Sequence, residues 1–117
     1  MTASPIPAKI RKTVLDRADS RCEHCGRMAP LELHHRQYLS RGGKHAVSNL
    51  VALCGGSGGY PGGNHSGSHG WAHTTIEAED KGFSIRSGFD PHEVKIELFG
   101  IGPAFLLDDG SVKPVEG

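Results

Sequence analysis

RCEHCGRMAPLELHHR, residues 21–36, sets two kinds of metal-binding chemistry side by side. Cys22 and Cys25 stand three positions apart, with Gly26 directly behind them. At that spacing a tight turn brings both thiolates to one side of a tetrahedral ion, and the glycine supplies the backbone freedom a knuckle needs. LELHHR (31–36) then alternates apolar and polar residues and reads as a strand, with Leu31 and Leu33 on one side. Neighbouring strand residues point to opposite faces, so His34 and His35 cannot easily share a role.

On the upstream side, Ile10, Val14 and Leu15 recur at helical spacing between Ala8 and Ala18, with charged residues on the other face. Downstream, SRGGKHAVSN (40–49) reads as a loop, and NLVALC (49–54) is a second apolar stretch that ends in Cys54. Residues 55–70 contain eight glycines and one proline, so their early part is not regular structure. A helix capped by Ser66 or Ser68 is expected to run through Trp71, Ala72 and His73 towards Glu77. Gly67 and Gly70 would each cost that helix ~1 kcal/mol if they lie inside it. After Asp80, GFSIRS (82–87), HEVKIELFG (92–100) and AFLLDDGSV (104–112) read as short β segments, with Asp109-Gly110 as a hairpin turn. The organisation expected is a flexible tail (1–8), a metal-bearing domain (9–80), and a β-like extension (81–117) that packs on the core or contacts a partner.

At 117 residues, 36% apolar and with 17 glycines, the chain makes one small domain whose stability from packing alone is marginal. Three cysteines fit poorly with a closed disulfide framework and fit metal ligands in a reducing cytosol. The net charge of zero conceals a split. Residues 1–45 carry nine Lys/Arg against four Asp/Glu, a net +5, and residues 46–117 carry the opposite excess. An anionic partner such as nucleic acid is expected to meet the N-terminal half. No apolar run approaches the ~18 residues of a membrane span. MTASPIPAKIRK lacks the apolar core of a signal peptide, so the reading is a soluble protein of the cytoplasm.

Two ligand sets emerge. Cys22, Cys25 and Cys54 leave one vacancy in a four-coordinate structural zinc site. His65 and His24 are the candidates for it, although His24 lies inside the CxxC turn, where its side chain tends away from the sulfurs. In NHSGSHGWAH (64–73), His69 and His73 share a helix face at i, i+4. With His34 they make a three-histidine site that keeps positions open for water and substrate, as a catalytic divalent ion requires. His35, aimed elsewhere and titrating near neutrality, then suits a general base.

RCEHCG, LELHHR, the Gly42-Gly43 pair, SNLVALC and SHGWAH together resemble the HNH endonucleases, a ββα-metal family, over roughly residues 17–73. Their order is most similar to that of small HNH proteins of bacteriophages and prophages. The resemblance implies an α+β fold: a ββα-metal core with an N-terminal helix, a zinc knuckle and a short β-rich C-terminal tail. It implies a metal-dependent endonuclease that hydrolyses DNA phosphodiester bonds, nicking one strand or cutting both. By position, His34, His69 and His73 become ligands of the catalytic ion, His35 the general base, and Asn49 the brace of the loop that holds it. Arg21, Arg36 and Arg41 become candidate contacts to DNA phosphates, and Glu32 a partner for a nearby arginine. DNA is the implied partner, and packaging proteins such as terminase are a further one by analogy.

Two departures from the family pattern stand out. His34 occupies a position where many members have aspartate, and an all-nitrogen site favours Zn, Ni, Co or Mn, with Mg still possible. Ser68 stands where a cysteine commonly precedes the last histidine, so either the zinc is missing or another residue, His65 by preference, completes Cys22, Cys25 and Cys54. A non-catalytic zinc module that only binds DNA is the competing reading, and a secreted nuclease toxin domain shares the chemistry.

Overall fold

The structure, a computed structural model, describes residues 5–28, 30–55, 72 and 76–115. Two helices and two antiparallel sheets make up its main elements among these residues. Helix α1 spans Ala8–Ala18, as its periodicity predicts. Pro7 precedes it, where a missing N–H costs nothing, and Asp19 ends it in the left-handed conformation. Val14 and Ala18 are buried, and Ile10 and Leu15 pack beside them against Val47, Leu50 and Ala52.

Strands β1 (Leu31–His35) and β2 (Leu50–Cys54) pair antiparallel, with Leu31 opposite Cys54 and His35 opposite Leu50. Every residue of β2 is buried, because both of its faces are covered. Leu50 and Ala52 face α1, whereas Val51 and Leu53 face a second core around Phe83, Ile96, Leu98, Ala104 and Leu106. This double burial explains why NLVALC reads as a continuous apolar run and not as an alternation. His34 pairs with Val51 and His35 with Leu50, so the two imidazoles leave the strand on opposite faces.

The second core is supplied by the C-terminal third. Helix α2 (Ile76–Asp80) leads through Gly82 to the fully buried Phe83. Gly82 has φ +84°, and a Cβ there would sit 1.9 Å from the Lys95 carbonyl oxygen, so no larger residue fits. Strands β3 (Ile96–Leu98), β4 (Gly102–Leu106) and β5 (Val112–Pro114) form the second sheet in that order. Gly110, at φ +92°, turns the β4–β5 hairpin, so the Asp109-Gly110 turn forms as expected. GFSIRS does not form a strand: only Ile85 bridges, singly, to Gln37. Within HEVKIELFG, Pro91–Glu93 make a 3-10 turn and the strand is confined to Ile96–Leu98. No helix among the described residues is long and apolar enough to cross a membrane.

Two charged clusters lock these layers together. The Arg17 guanidinium forms a bidentate pair with Glu23 at 2.8 and 2.9 Å and donates to the Val47 and Leu50 carbonyls, while Glu23 accepts from Ala52 N. Arg36 corrects an expectation. It is 0% exposed, and its N–H groups donate to the carbonyls of Gly82 (2.8 Å), Ser48 (2.8 Å), Pro91 (3.2 Å) and Val94 (2.8 Å). A guanidinium committed to four carbonyls inside the protein does not reach a DNA phosphate. Burial, and then the Arg17 charge, push it down to about 9 against the opposing pull of Glu23, so it stays protonated at neutral pH. Replacing it as in Arg36→Met leaves those carbonyls unanswered, and an expected loss of about 3–5 kcal/mol should appear in urea denaturation. An unchanged midpoint would contradict this role.

At the surface, His92 links Asp90 (Nδ1 to Oδ1, 2.8 Å) to Asp108 (Nε2 to Oδ2, 2.6 Å), and Asp108 also accepts from Ser48 N. Hydrogen bonds to Asp90 and Asp108 raise His92 above its ordinary 6.5. The His92 backbone and side chain lower Asp90 below 3.8. For Asp108, burial works the other way but is outweighed by bonds from Ser48 and His92. A raised histidine stabilises at low pH and ceases to as pH rises through its folded pKa, whereas lowered carboxylates stabilise only above their own range. The clamp is therefore strongest in mildly acid solution. His92→Gln should lower the melting temperature by a few degrees at about pH 5.5 and by clearly less at about pH 8.5.

Candidate metal centre and histidine site

Cys22 opens the knuckle with its N–H bonded to the Arg27 carbonyl, and Gly26 closes it by donating to the Cys22 carbonyl. Gly26 adopts φ +78°, a conformation that favours glycine, and a Cβ there would lie 2.3 Å from the exposed Phe99 ring, which would have to swing aside. Phe99 N donates to the Glu23 carbonyl, which seats the end of β3 on the knuckle. Cys54, the last residue of β2, arrives beside this turn.

The ligand atoms of Cys22, Cys25 and Cys54 all lie within 4.8 Å of one another. Cys25 Sγ and Cys54 Sγ are 3.6 Å apart, and none of the three cysteines is in a disulfide. A tetrahedral zinc with bonds of ~2.3 Å to sulfur separates its ligands by about 3.8 Å, close to the Cys25–Cys54 distance, so the three thiols stand near enough together to hold such an ion. Two of the thiols are buried, whereas Cys25 is exposed. His24 does not join the group. Its ring packs edge-on against the buried Phe83, with centroids 5.4 Å apart, and lies outside the cysteine group, in keeping with a side chain that tends away from the sulfurs. Burial, then the Lys81 charge, hold His24 below its ordinary value. His65 lies outside the described residues.

His34 is buried, and its Nε2 lies 2.7 Å from the Phe83 carbonyl oxygen. A carbonyl can only accept, so Nε2 carries a proton, and in the neutral ring Nδ1 keeps the lone pair. Metal-ligating histidines are commonly oriented this way, by a main-chain acceptor on the second ring nitrogen. The other two residues expected at this ion, His69 and His73, lie outside the described residues.

His35, half-buried, places Nε2 3.0 Å from His45 Nδ1. Burial first, and the His45 charge second, lower its pKa below 6.5, which keeps the ring neutral at physiological pH. The residue missed from sequence is His45, a single histidine in a glycine-bordered loop that gave no periodicity to read. The loop that carries it is closed by Asn49. The Asn49 amide donates to the Gln37 and Lys44 carbonyls, both at 3.0 Å, and its oxygen accepts from Gln37 N at 2.8 Å. Gly42 turns at φ +91°, and a Cβ on Gly43 would meet the Gln37 carbonyl oxygen at 1.8 Å, so the Gly42-Gly43 pair is a steric necessity.

Of the arginines expected at phosphate, Arg21 is exposed and reaches the Gly26 carbonyl at 3.4 Å. Arg41 stacks on the Tyr38 ring at 4.6 Å and donates to the Ile85 carbonyl. Arg36 is buried, as described above.

The stretch from Cys22 through Gly55 matches the family model of the HNH endonucleases, covering residues 22–55, less than a third of the chain. Members of that family are generally hydrolytic nucleases that use divalent metals, so the match indicates a nuclease or DNA-binding activity. No curated protein and no solved structure matches the chain.

The thiol group yields a direct expectation. Cys25→Ser should bring bound zinc well below one equivalent by elemental analysis and lower the melting temperature by about 5 °C or more, as chelation of the unaltered protein should. Unchanged zinc content would remove Cys25 from the site.

Proposed function

We propose that the protein is a metal-dependent endonuclease that hydrolyses DNA phosphodiester bonds. The observation that carries this reading is the pair His34–His35 at the end of β1, inside the matched stretch. One imidazole is oriented by a main-chain carbonyl as a ligand is, and the other is held neutral on the opposite face. His34, with His69 and His73, would hold the ion, which when bound supplies Lewis-acid stabilisation of charge on the scissile phosphate and the departing 3′ oxygen. His35 takes a proton from a water whose oxygen bonds to phosphorus in line as the P–O3′ bond breaks. The products are a 5′-phosphate and a 3′-hydroxyl. Asn49 keeps the loop beside His35 closed, and Arg21 and Arg41 would serve as phosphate contacts.

Cys22, Cys25 and Cys54, completed by His65, would hold a separate structural zinc. The resemblance to phage-type HNH proteins supports a role in the cytoplasm of a bacterial host, in a task such as genome packaging beside terminase. The basic N-terminal half also favours a second reading, a zinc-stabilised module that binds DNA without cutting it.

Incubation with plasmid and Mn²⁺, Ni²⁺ or Mg²⁺, with and without chelator, separates these readings. Chelator-sensitive nicking or linearisation is expected; DNA binding with no cleavage under any metal favours the module. His35→Ala should keep metal and DNA affinity but cut ~10²–10⁴-fold more slowly, and His34→Ala should lose the catalytic ion. Near-normal cleavage by His35→Ala would remove it from its role. In the same metal analysis, His65→Ala should lose the structural zinc, and unchanged zinc would exclude it as the fourth ligand.

A further inference from the structure

His34 and His35 are neighbours on one strand, yet their ring protons are governed in different ways. The Nε2 of His34 faces a carbonyl, an acceptor that never carries a proton, so Nε2 is the nitrogen that donates there. The Nε2 of His35 faces another imidazole nitrogen, His45 Nδ1, at 3.0 Å, with ring centroids 5.1 Å apart and planes at 47°. A hydrogen bond between two imidazole nitrogens holds one proton between them, and only one of the rings donates it. When His35 Nε2–H donates, His35 Nδ1 keeps its lone pair. When His45 Nδ1–H donates, the proton of His35 moves to Nδ1 and its lone pair is closed.

We infer that His45 is a positioning residue for His35: by accepting from Nε2–H it orients the ring and keeps Nδ1 as the nitrogen that takes a proton. This rests on the reading of His35 as general base. The backbone at His45 is built for a fixed position. Lys44 O accepts from both Ala46 N (2.9 Å) and Asn49 Nδ2 (3.0 Å), which pins the turn on either side of His45. Gly43 N donates to the Tyr38 carbonyl and draws the loop back against the end of β1. The Asn49 side chain, which touches neither ring in these bonds, thereby sets where the His45 acceptor stands. A histidine that only filled space in the loop would need neither this anchoring nor a nitrogen aimed at His35. The hydrogen bond that fixes which ring nitrogen of a base is free is a recurrent requirement of imidazole catalysis.

The test reads the tautomer directly. In the zinc-loaded protein, ¹⁵N NMR of ring nitrogens, with His35 assigned by its loss in His35→Ala, should show Nε2 protonated and Nδ1 unprotonated. His45→Phe keeps bulk without an acceptor and should shift His35 to a mixture of tautomers. On plasmid, kcat should fall about tenfold or more while KM, DNA affinity and metal content stay as they were. His45→Asn, whose Oδ1 can take the place of Nδ1, should restore most of the rate and the original tautomer. A His35 protonated at Nδ1 in the unaltered protein overturns the inference whatever the variants do, as does a tautomer unchanged in His45→Phe. If the unaltered protein cuts no DNA under any metal, the endonuclease reading fails, and the NMR comparison still decides whether His45 sets the His35 tautomer.

Discussion

A guanidinium with no carboxylate in its hydrogen bonds lies at the centre of the molecule. Arg36 leaves β1 directly after the two histidines and finds its acceptors on the segment before β2, on the Gly82 turn and on the 3-10 turn near residue 91. A buried cation is tolerable only where its donors are answered, and here the answer comes from main chain that is remote in sequence. The charge thus dictates that the C-terminal third must fold back onto β1. Once it does, Phe83 is seated against β2, and its carbonyl meets His34.

The histidine site inherits its geometry from this arrangement. Strand alternation separates His34 from His35, and the two faces they enter are organised by different means. One face belongs to the tail and offers a carbonyl. The other belongs to the loop between the strands, closed by the Asn49 amide and made passable by Gly42 and Gly43. The knuckle is tied in from outside by the Arg17–Glu23 pair and by Phe99. Ligand groups and scaffold therefore share the same short elements, as a chain of this size with little apolar surface requires.

Much of the front half was legible in the sequence. Helix α1, strands β1 and β2 and the CxxC turn follow from periodicity and from glycine placement, and the structure brings Cys54 to the turn as the spacing suggested. The opposite directions of His34 and His35 follow from strand geometry alone. Other parts were not legible for identifiable reasons. Arg36 reads as a surface cation because arginine usually is one, and its partners are carbonyls, which every residue possesses. GFSIRS has a strand's composition, but Ile85 is drawn to Gln37 while Phe83 turns into the core, leaving no ladder. His45 belongs to no repeating pattern, and only the loop's closure shows what it faces. His65, His69 and His73 lie outside the described residues, so their division between two ions rests on spacing and resemblance.

The main-chain character of the acceptors has a consequence for how such a chain can drift. Side chains along residues 83–94 can change identity without removing a single carbonyl that Arg36 or His34 uses. Substitutions at the exposed positions of this segment can thus change its spelling and leave both sets of acceptors in place. Length is another matter. Inserting or deleting one residue between Gly82 and Val94 shifts the acceptors out of step with a guanidinium that needs them together. Outside its buried side chains, the segment is constrained more tightly in count than in spelling.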